Sequence, residues 1–361
     1  MKGLKAFTLQ MAIGANIATI VMMLFVGYAD YLNPTAFPML SNVGLSYPIF
    51  LIFNFCFLIF WLVFKRRKAF IPILGFVICY YPTRIYMPLN INRSVPPNAI
   101  KVLSYNVWMF SGWDETGKNN PTLQFIAEQN ADIVCLQEAE GWGIYKAKAD
   151  SVMNGLYQYA DTSRRKDGGD VLAIYSKYPI IKKERIVYPS KTNHSAAFYL
   201  KINGDTVIVI NNHFESIGLS PEDKTNFKEM VKGDMNAKCV EKESKKLIDK
   251  LAEASKRRAP QVDAVAQYIY EHKRMSMILC GDFNDGPLSY TRRIMAKSLT
   301  DCYVESGNGI GISYHHGGFY VRIDNIMCSN DWVPYGCKVD NRVKSSDHYP
   351  IYCWLKKRVK P

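Results

Sequence analysis

Several features that would announce a function are missing from this sequence. Its 361 residues include only nine cysteines, without the paired spacing of a structural zinc site or the density of a disulfide scaffold. One bridge, among Cys239, Cys302 and Cys337, is left open. The His-rich spacing of catalytic zinc is absent. No Gly-x-Ser-x-Gly elbow accompanies the histidines, which disfavours a serine esterase. There is no internal repeat and no low-complexity tract, and with 48% hydrophobic and 13% aromatic residues the chain is neither disordered nor fibrous. Acid is scarce at one end, where Asp30 is the single acidic residue of the first hundred.

What is abundant is positive charge, 45 Lys and Arg against 32 Asp and Glu, a net +13. A nucleic-acid footprint would look like this, so its location matters. Residues 1–100 hold Lys2, Lys5, Lys65, Arg66, Arg67, Lys68, Arg84 and Arg93 against Asp30, for +7, and the remaining 37 bases and 31 acids give +6. More than half of the excess therefore flanks apolar runs. Ala6–Tyr28 has 23 uncharged residues and Tyr47–Phe64 has 18, near the ~20 that cross a bilayer. Ala69–Tyr81 is too short unless it continues over 69–87. These runs predict a membrane region over residues 1–93 with two or three spans, at about 6–28, 47–64 and 69–87. A small-x-small Gly27-Tyr28-Ala29 offers the alternative of a cleaved signal peptide. The Ala29–Ser46 loop has no Lys or Arg, so the positive-inside rule puts Lys2, Lys5 and Lys65–Lys68 in the cytoplasm. If the third run crosses, the remainder lies outside the cytoplasm, at a cell inner membrane; if it is re-entrant, the remainder stays inside.

Residues 94–100 read as a linker. Beyond it come short β-branched and aromatic runs, each closed by a polar cluster: Lys101–Val107, Ile133–Gln137, Val171–Ser176, Ala196–Ile202, Val207–Asn211, Met277–Cys280, Val321–Cys328 and Ile351–Trp354. Helical patterns fall over Thr122–Gln129 and, as two helices, between Asn236 and His272. An α/β domain over 101–361 follows. Glu222–Arg258 carries eleven bases and eight acids, a solvated helical excursion or a lid facing substrate or membrane.

The polar residues closing the strands are chemically selective. They are Asn106, Glu138, His213, Asp282, Asn284, Asp324, Asp347 and His348. Four carboxylates, two imidazoles and two carboxamides at one sheet edge suit metal-assisted attack on phosphorus. Oxygen ligands favour Mg²⁺ or Mn²⁺ and leave room for water and phosphate. His194, His272, His315 and His316 read instead as exposed loop or helix histidines, with His315 and His316 best placed for substrate contact. Arg257-Arg258 reads as a solvated helix end.

In order, Ser-Tyr-Asn-Val-Trp, Leu-Gln-Glu, Asn-Asn-His-Phe, Gly-Asp-Phe-Asn, Arg-Ile-Asp-Asn-Ile and Ser-Asp-His-Tyr-Pro resemble the motifs of the endonuclease/exonuclease/phosphatase superfamily, over residues 100 to 356. The resemblance implies a four-layer α/β/β/α sandwich and a metal-dependent phosphoric ester hydrolase. It makes Glu138 the principal metal ligand, with Asn106 beside it and Asp347 completing the metal environment. Asp282 would orient or activate water, Asn284 would hold phosphate, and His348, oriented by Asp324, would stabilise the phosphoryl oxygens. His213 would contact phosphate and assist the leaving group.

Substrate is less legible. Ala139-Glu140 stands where apurinic endonucleases carry a Lys, and Val321-Arg322-Ile323-Asp324 departs from the Trp-Cys-Asp-Arg signature of inositol-polyphosphate phosphatases. The membrane runs favour a phospholipid headgroup. A nuclease acting on DNA or RNA, and an inactive binding scaffold, are the competing readings. No protein partner is deducible, and a monomer is expected.

Overall fold

Apolar helices come first in the computed structural model, which describes residues 2–141, 143–165 and 168–358. Helices α1 (Lys2–Gly27) and α2 (Tyr47–Phe64) are long and apolar enough to cross a membrane. The third run is a bent pair, α3 (Phe70–Ile78) and α4 (Tyr80–Tyr86), with 66° between them. Pro82 accounts for the bend, since it has no N–H for the Ile78 carbonyl and its ring would clash with that carbonyl in a continuous helix.

Side chains fix the register of this bundle. The Trp61 indole donates to Asn16 Oδ1 at 3.0 Å, Asn16 donates to Asn54 at 3.3 Å, and Asn54 donates to the Pro72 carbonyl at 3.0 Å. Buried amides thus satisfy one another where no water would. Gly75 lies against Ile20 and Asn54, and Gly27 against Tyr47 and Pro82. The bent pair therefore rises parallel to α1 and ends level with its C-terminus.

Twelve strands among the described residues form the rest of the frame: β1 (Ile100–Asn106), β2 (Ile133–Gln137), β3 (Tyr159–Arg164), β4 (Val171–Ser176), β5 (Ile180–Ile186) and β6 (Ser195–Ile202). Then follow β7 (Asp205–His213), β8 (Ser276–Asp282), β9 (Thr300–Asp301), β10 (Asp324–Cys328), β11 (Trp332–Val339) and β12 (Ile351–Lys357). They make two six-stranded sheets, ordered β11-β12-β1-β2-β4-β3 and β5-β6-β7-β8-β10-β9. Between them lies one core, with Val102, Ile133, Cys135, Leu172 and Ile174 facing Phe198, Val209, Ile278, Cys280 and Ile326. Helices α5 (Pro121–Gln129) and α6 (Gly143–Leu156) cover the first sheet through Phe125, Ile126 and Met153. After α7 (Pro221–Lys232), helix α8 (Ala237–Glu271) covers the second sheet through Ala259, Val262, Val265 and Ile269, joined by α9 (Tyr290–Met295). A short α10 (Cys302–Ser306) completes the chain's helices among the described residues. This is the α/β/β/α sandwich expected.

Four local expectations are corrected. The two helices expected between Asn236 and His272 are one helix of 35 residues, with Pro260 inside it; apolar packing beyond Ser255 holds it together. Arg257-Arg258 lies in its interior, and Arg258 is buried. The strand expected from Val321 begins at Asp324. Cys239, Cys302 and Cys337 are all free, with Cys302 facing Cys328 instead at 3.7 Å between sulfurs.

Candidate active site

Strand direction assembles the site. Because β1 and β2 are parallel, with Asn106 opposite Gln137, both Asn106 and Glu138 emerge at the same edge. Strands β7 and β8 are also parallel, with His213 opposite Asp282. Antiparallel β10 starts where β8 ends, so Asp324 lies opposite Asp282. His348 precedes β12, antiparallel to β1, at that edge too.

Asp282 Oδ2 is the hub. It lies 3.6 Å from Nε2 of His213, 3.6 Å from Nε2 of His348, and accepts from the Asn106 amide at 3.3 Å. The same amide donates to Glu138 Oε1 at 3.0 Å. Each imidazole is held from behind by an acid, His348 Nδ1 by Asp324 at 2.8 Å and His213 Nδ1 by Asp170 at 2.9 Å. Asn284 donates through its side chain to the Phe214 carbonyl at 2.9 Å, and its backbone N–H caps Asp282 Oδ1 at 2.8 Å. Asp347 is half-buried, and its charge acts on His348.

Two site residues have left-handed backbones, Glu138 at φ 50° and Asn284 at φ 51°. A β-carbon makes that region costly by about 1–2 kcal/mol. At Glu138 the cost is offset by fixed bonds: its N–H donates to Asp170 Oδ1 at 2.9 Å and its carbonyl accepts from Met109 at 2.9 Å.

Burial by itself disfavours charge on the two imidazoles, but the carboxylates outweigh it. Asp170, Asp282 and Glu138 lift His213 to about 9, and Asp324, Asp282 and Asp347 lift His348 to about 10. Both are imidazolium at neutral pH. Asp282 is pushed up to about 6, by burial first and by Asp324 second, against the pull of the histidines.

Asp170 was not read from the sequence. It follows two glycines and immediately precedes β4, which is antiparallel to β2, so a strand's beginning places it there. The faint signal was an acid directly before an apolar run. Arg258 is a second omission: its Nε donates to the Glu215 carbonyl at 3.0 Å and its guanidinium pairs with Asp285 at 2.9 Å. It thereby ties the segment after His213 to the one after Asn284.

The other histidines separate. His194 is buried, not exposed; it contacts Ser163 Oγ at 3.1 Å, and burial lowers it to about 4. His272 stacks on Tyr268 at the end of α8. His315 stacks on Tyr349 with centroids 3.7 Å apart, whereas exposed His316 stands 6.1 Å from the Trp108 ring, at the rim of the site. The charged excursion is a hairpin of α7 against α8, with Asp223 paired to Lys246 and Lys250. It leans on the loop beside His348, where Phe227 stacks on Phe319 with centroids 4.0 Å apart.

The donor set fits a hard divalent cation. Carboxylate oxygens of Asp282 and Asp324 lie within 4.8 Å of each other and of a nitrogen of His348, whose protonated ring suits phosphate and not the metal, and Asp324 Oδ1 is buried without a hydrogen-bond partner. Half-buried Glu138 adds a carboxylate oxygen, and buried Asn106 an amide oxygen that also accepts the Trp108 N–H at 3.1 Å.

Comparison with known proteins bears on the fold. Among curated proteins none matches, and a domain model of unknown function covers residues 9–86. Solved structures share the fold. An endonuclease/exonuclease/phosphatase family protein from Bacteroides thetaiotaomicron is 18% identical with a TM-score of 0.50, over 73% of this chain and 100% of that one. A protein of that description from Beutenbergia cavernae is 15% identical with a TM-score of 0.51, over 72% of both chains. Truncated Caenorhabditis elegans TDP2 is 14% identical with a TM-score of 0.50, over 73% of this chain and 99% of that one. The model of the Endonuclease/Exonuclease/phosphatase family matches residues 103–348, and the chain belongs to that family.

Proposed function

We propose that the chain is a membrane-anchored phosphoesterase dependent on Mg²⁺ or Mn²⁺, acting on a phosphodiester or phosphomonoester, with a phospholipid headgroup favoured. One observation carries the reading: two imidazoles, each backed by a carboxylate, face a buried Asp282 beside Glu138 and Asn106. That arrangement suits an anionic phosphoryl group that gains negative charge in the transition state, flanked by a water and a base.

Glu138, Asn106 and Asp347 would hold the cation, which when bound polarises the phosphoryl oxygens. Asp282 accepts the proton of the attacking water. As the water oxygen bonds to phosphorus, the ester P–O bond breaks, and His213 returns a proton to the departing alkoxide. His348, fixed by Asp324, neutralises the phosphoryl oxygens, and Asn284 holds the phosphate. The scheme consumes one water and releases an alcohol and a phosphate or phosphomonoester.

Contacts between the loop and the sandwich support one sidedness. The Ala29–Ser46 loop, on the face opposite Lys65–Lys68, touches the sandwich: Ser255 donates to Asn42 at 2.9 Å, and Arg293 covers the Tyr31 ring at 3.4 Å. The bent α3–α4 pair then counts as a crossing, and the catalytic domain lies outside the cytoplasm. The test is hydrolysis of bis(p-nitrophenyl) phosphate and p-nitrophenyl phosphate by the full chain in detergent. Turnover with Mg²⁺ or Mn²⁺, lost in Glu138→Gln, is expected; no turnover of either ester refutes the reading.

A further inference from the structure

The segment carrying the catalytic acids is itself seated on the helical bundle. Leu288, six residues beyond Asp282, leaves the sandwich and joins Met23, Val26, Tyr47, Cys79 and Ile85 in one buried apolar cluster. The 3-10 turn Leu40–Ser46 closes over it: a β-carbon on Gly44 would lie 2.5 Å from the Leu288 carbonyl oxygen. Leu45 reaches Gly286, two residues from Asn284. The segment before Asp324 is anchored as well, because buried Arg322 donates to the Ile85 carbonyl at 2.6 Å and to the Tyr86 carbonyl at 3.3 Å. These carbonyls are orphans of the α4 terminus, so a buried guanidinium caps the bent span.

The connection to β1 has the same consequence. From α4 the chain climbs the flank of the sandwich, with the Gly309 N–H donating to the Pro88 carbonyl at 2.8 Å and Lys356 donating to the Pro97 carbonyl at 2.7 Å. It enters β1 at Ile100, opposite Leu355, at the edge remote from the site. Strand β1 then runs back toward the bundle and delivers Asn106. The climb costs a dozen residues and serves to turn the catalytic edge toward the bilayer.

Apolar groups surround that edge. Phe37, Met39, Leu40 and Leu45 are exposed on the loop that touches Gly286, and Trp108 and Met109 are exposed directly beside Asn106 and Glu138. The loop carries no Lys or Arg, so it suits the boundary between headgroups and acyl chains better than an anionic polymer.

Building on the phosphoesterase reading, we infer that the substrate is a lipid phosphoester, taken from the leaflet on which the sandwich sits. Its acyl part stays in the bilayer while its phosphate enters between Glu138, His213 and His348. Such an enzyme responds to substrate per unit of surface, not per unit of volume.

The full chain in phosphatidylcholine proteoliposomes tests this, with Mg²⁺ and four probes: bis(p-nitrophenyl) phosphate, long-chain phosphatidylglycerol in the same bilayer, its water-soluble dibutyryl analogue, and plasmid DNA. Long-chain turnover is expected to rise in proportion to mole fraction at constant bulk concentration, and to exceed dibutyryl turnover at least tenfold. Gly44→Leu, which unseats Leu288, is expected to lower long-chain turnover at least tenfold while bis(p-nitrophenyl) phosphate hydrolysis stays within twofold. If that variant does not fold, the mole-fraction series on the unaltered chain decides. Hydrolysis of the soluble diester without turnover of the long-chain lipid, or faster cleavage of DNA, overturns the inference and leaves the phosphoesterase reading standing. No hydrolysis of any probe overturns both.

Discussion

Nδ1 of His213 lies 2.9 Å from the Asp170 carboxylate, whose other oxygen accepts the Glu138 N–H. One buried acid therefore orients the imidazole and fixes the backbone of the proposed metal ligand. Asp170→Asn removes the charge and keeps the shape. Activity should fall about 10- to 100-fold, as for partners that orient a ligand. The His213 pKa should drop from its present value of about 9, visible in the imidazole NMR titration of the metal-free protein.

Arg258 predicts an effect of a different kind. Its guanidinium is buried between Glu215 and Asp285, and Asp285 also accepts from Thr291 at 2.7 Å. Arg258→Met strands the Asp285 charge and should cost about 3 kcal/mol, the penalty for breaking a buried pair from one side. Thermal melts should show Arg258→Met together with Asp285→Leu recovering much of that loss. Activity should remain low in the double variant, since the segments after His213 and Asn284 are then untied.

Stability of the chelated protein should fall as pH rises. The histidines bind protons more tightly folded than unfolded, so their contribution is complete below about pH 6.5 and is lost through about 9 and 10. Asp282 has the same sign here, because its folded value of about 6 exceeds the ordinary 3.8. Its contribution is therefore greatest below the ordinary value and is lost as pH climbs through 6. Melting temperature in EDTA should decline from pH 6 to 10, and the rise produced by Mn²⁺ should be larger at pH 8 than at pH 5. An EDTA profile rising across that range would contradict the assignment.

The acids and amides that end strands were legible because a polar residue closing an apolar run has few reasons to be there. Asn106, Glu138, His213 and Asp282 all announced themselves in this way. Asp170 immediately precedes its strand, behind two glycines, where any turn acid would look alike. Its role depends on β4 running antiparallel to β2, a long-range fact. Arg258 was hidden by its surroundings: in a helix rich in both charges, burial is decided by Asp285, far along the chain. His194 was misread for a similar reason, as its cover comes from β3. In the bundle, the apolar runs revealed length but not the pairing of Asn16 with Asn54, which only the three-helix register creates.

Sidedness has a direct chemical check. Cys239 and Cys56 are exposed and the other seven cysteines are buried, and Cys56 lies within an apolar span. A membrane-impermeant maleimide should label intact right-side-out vesicles at Cys239, and Cys239→Ser should abolish the signal. Labelling confined to inside-out vesicles would place the catalytic domain in the cytoplasm.

The contact between Gly44 and Leu288 also sets an order of events during synthesis. The turn Leu40–Ser46 leaves the ribosome roughly 240 residues before the leucine it covers. The bundle is thus complete before the sandwich, and the seat waits for its plug until the segment after β8 has been made and folded. Docking of Leu288 requires the fold that presents it, so a folding defect in the second sheet should leave an unseated precursor, recognisable by a protease-sensitive loop between the first two apolar helices.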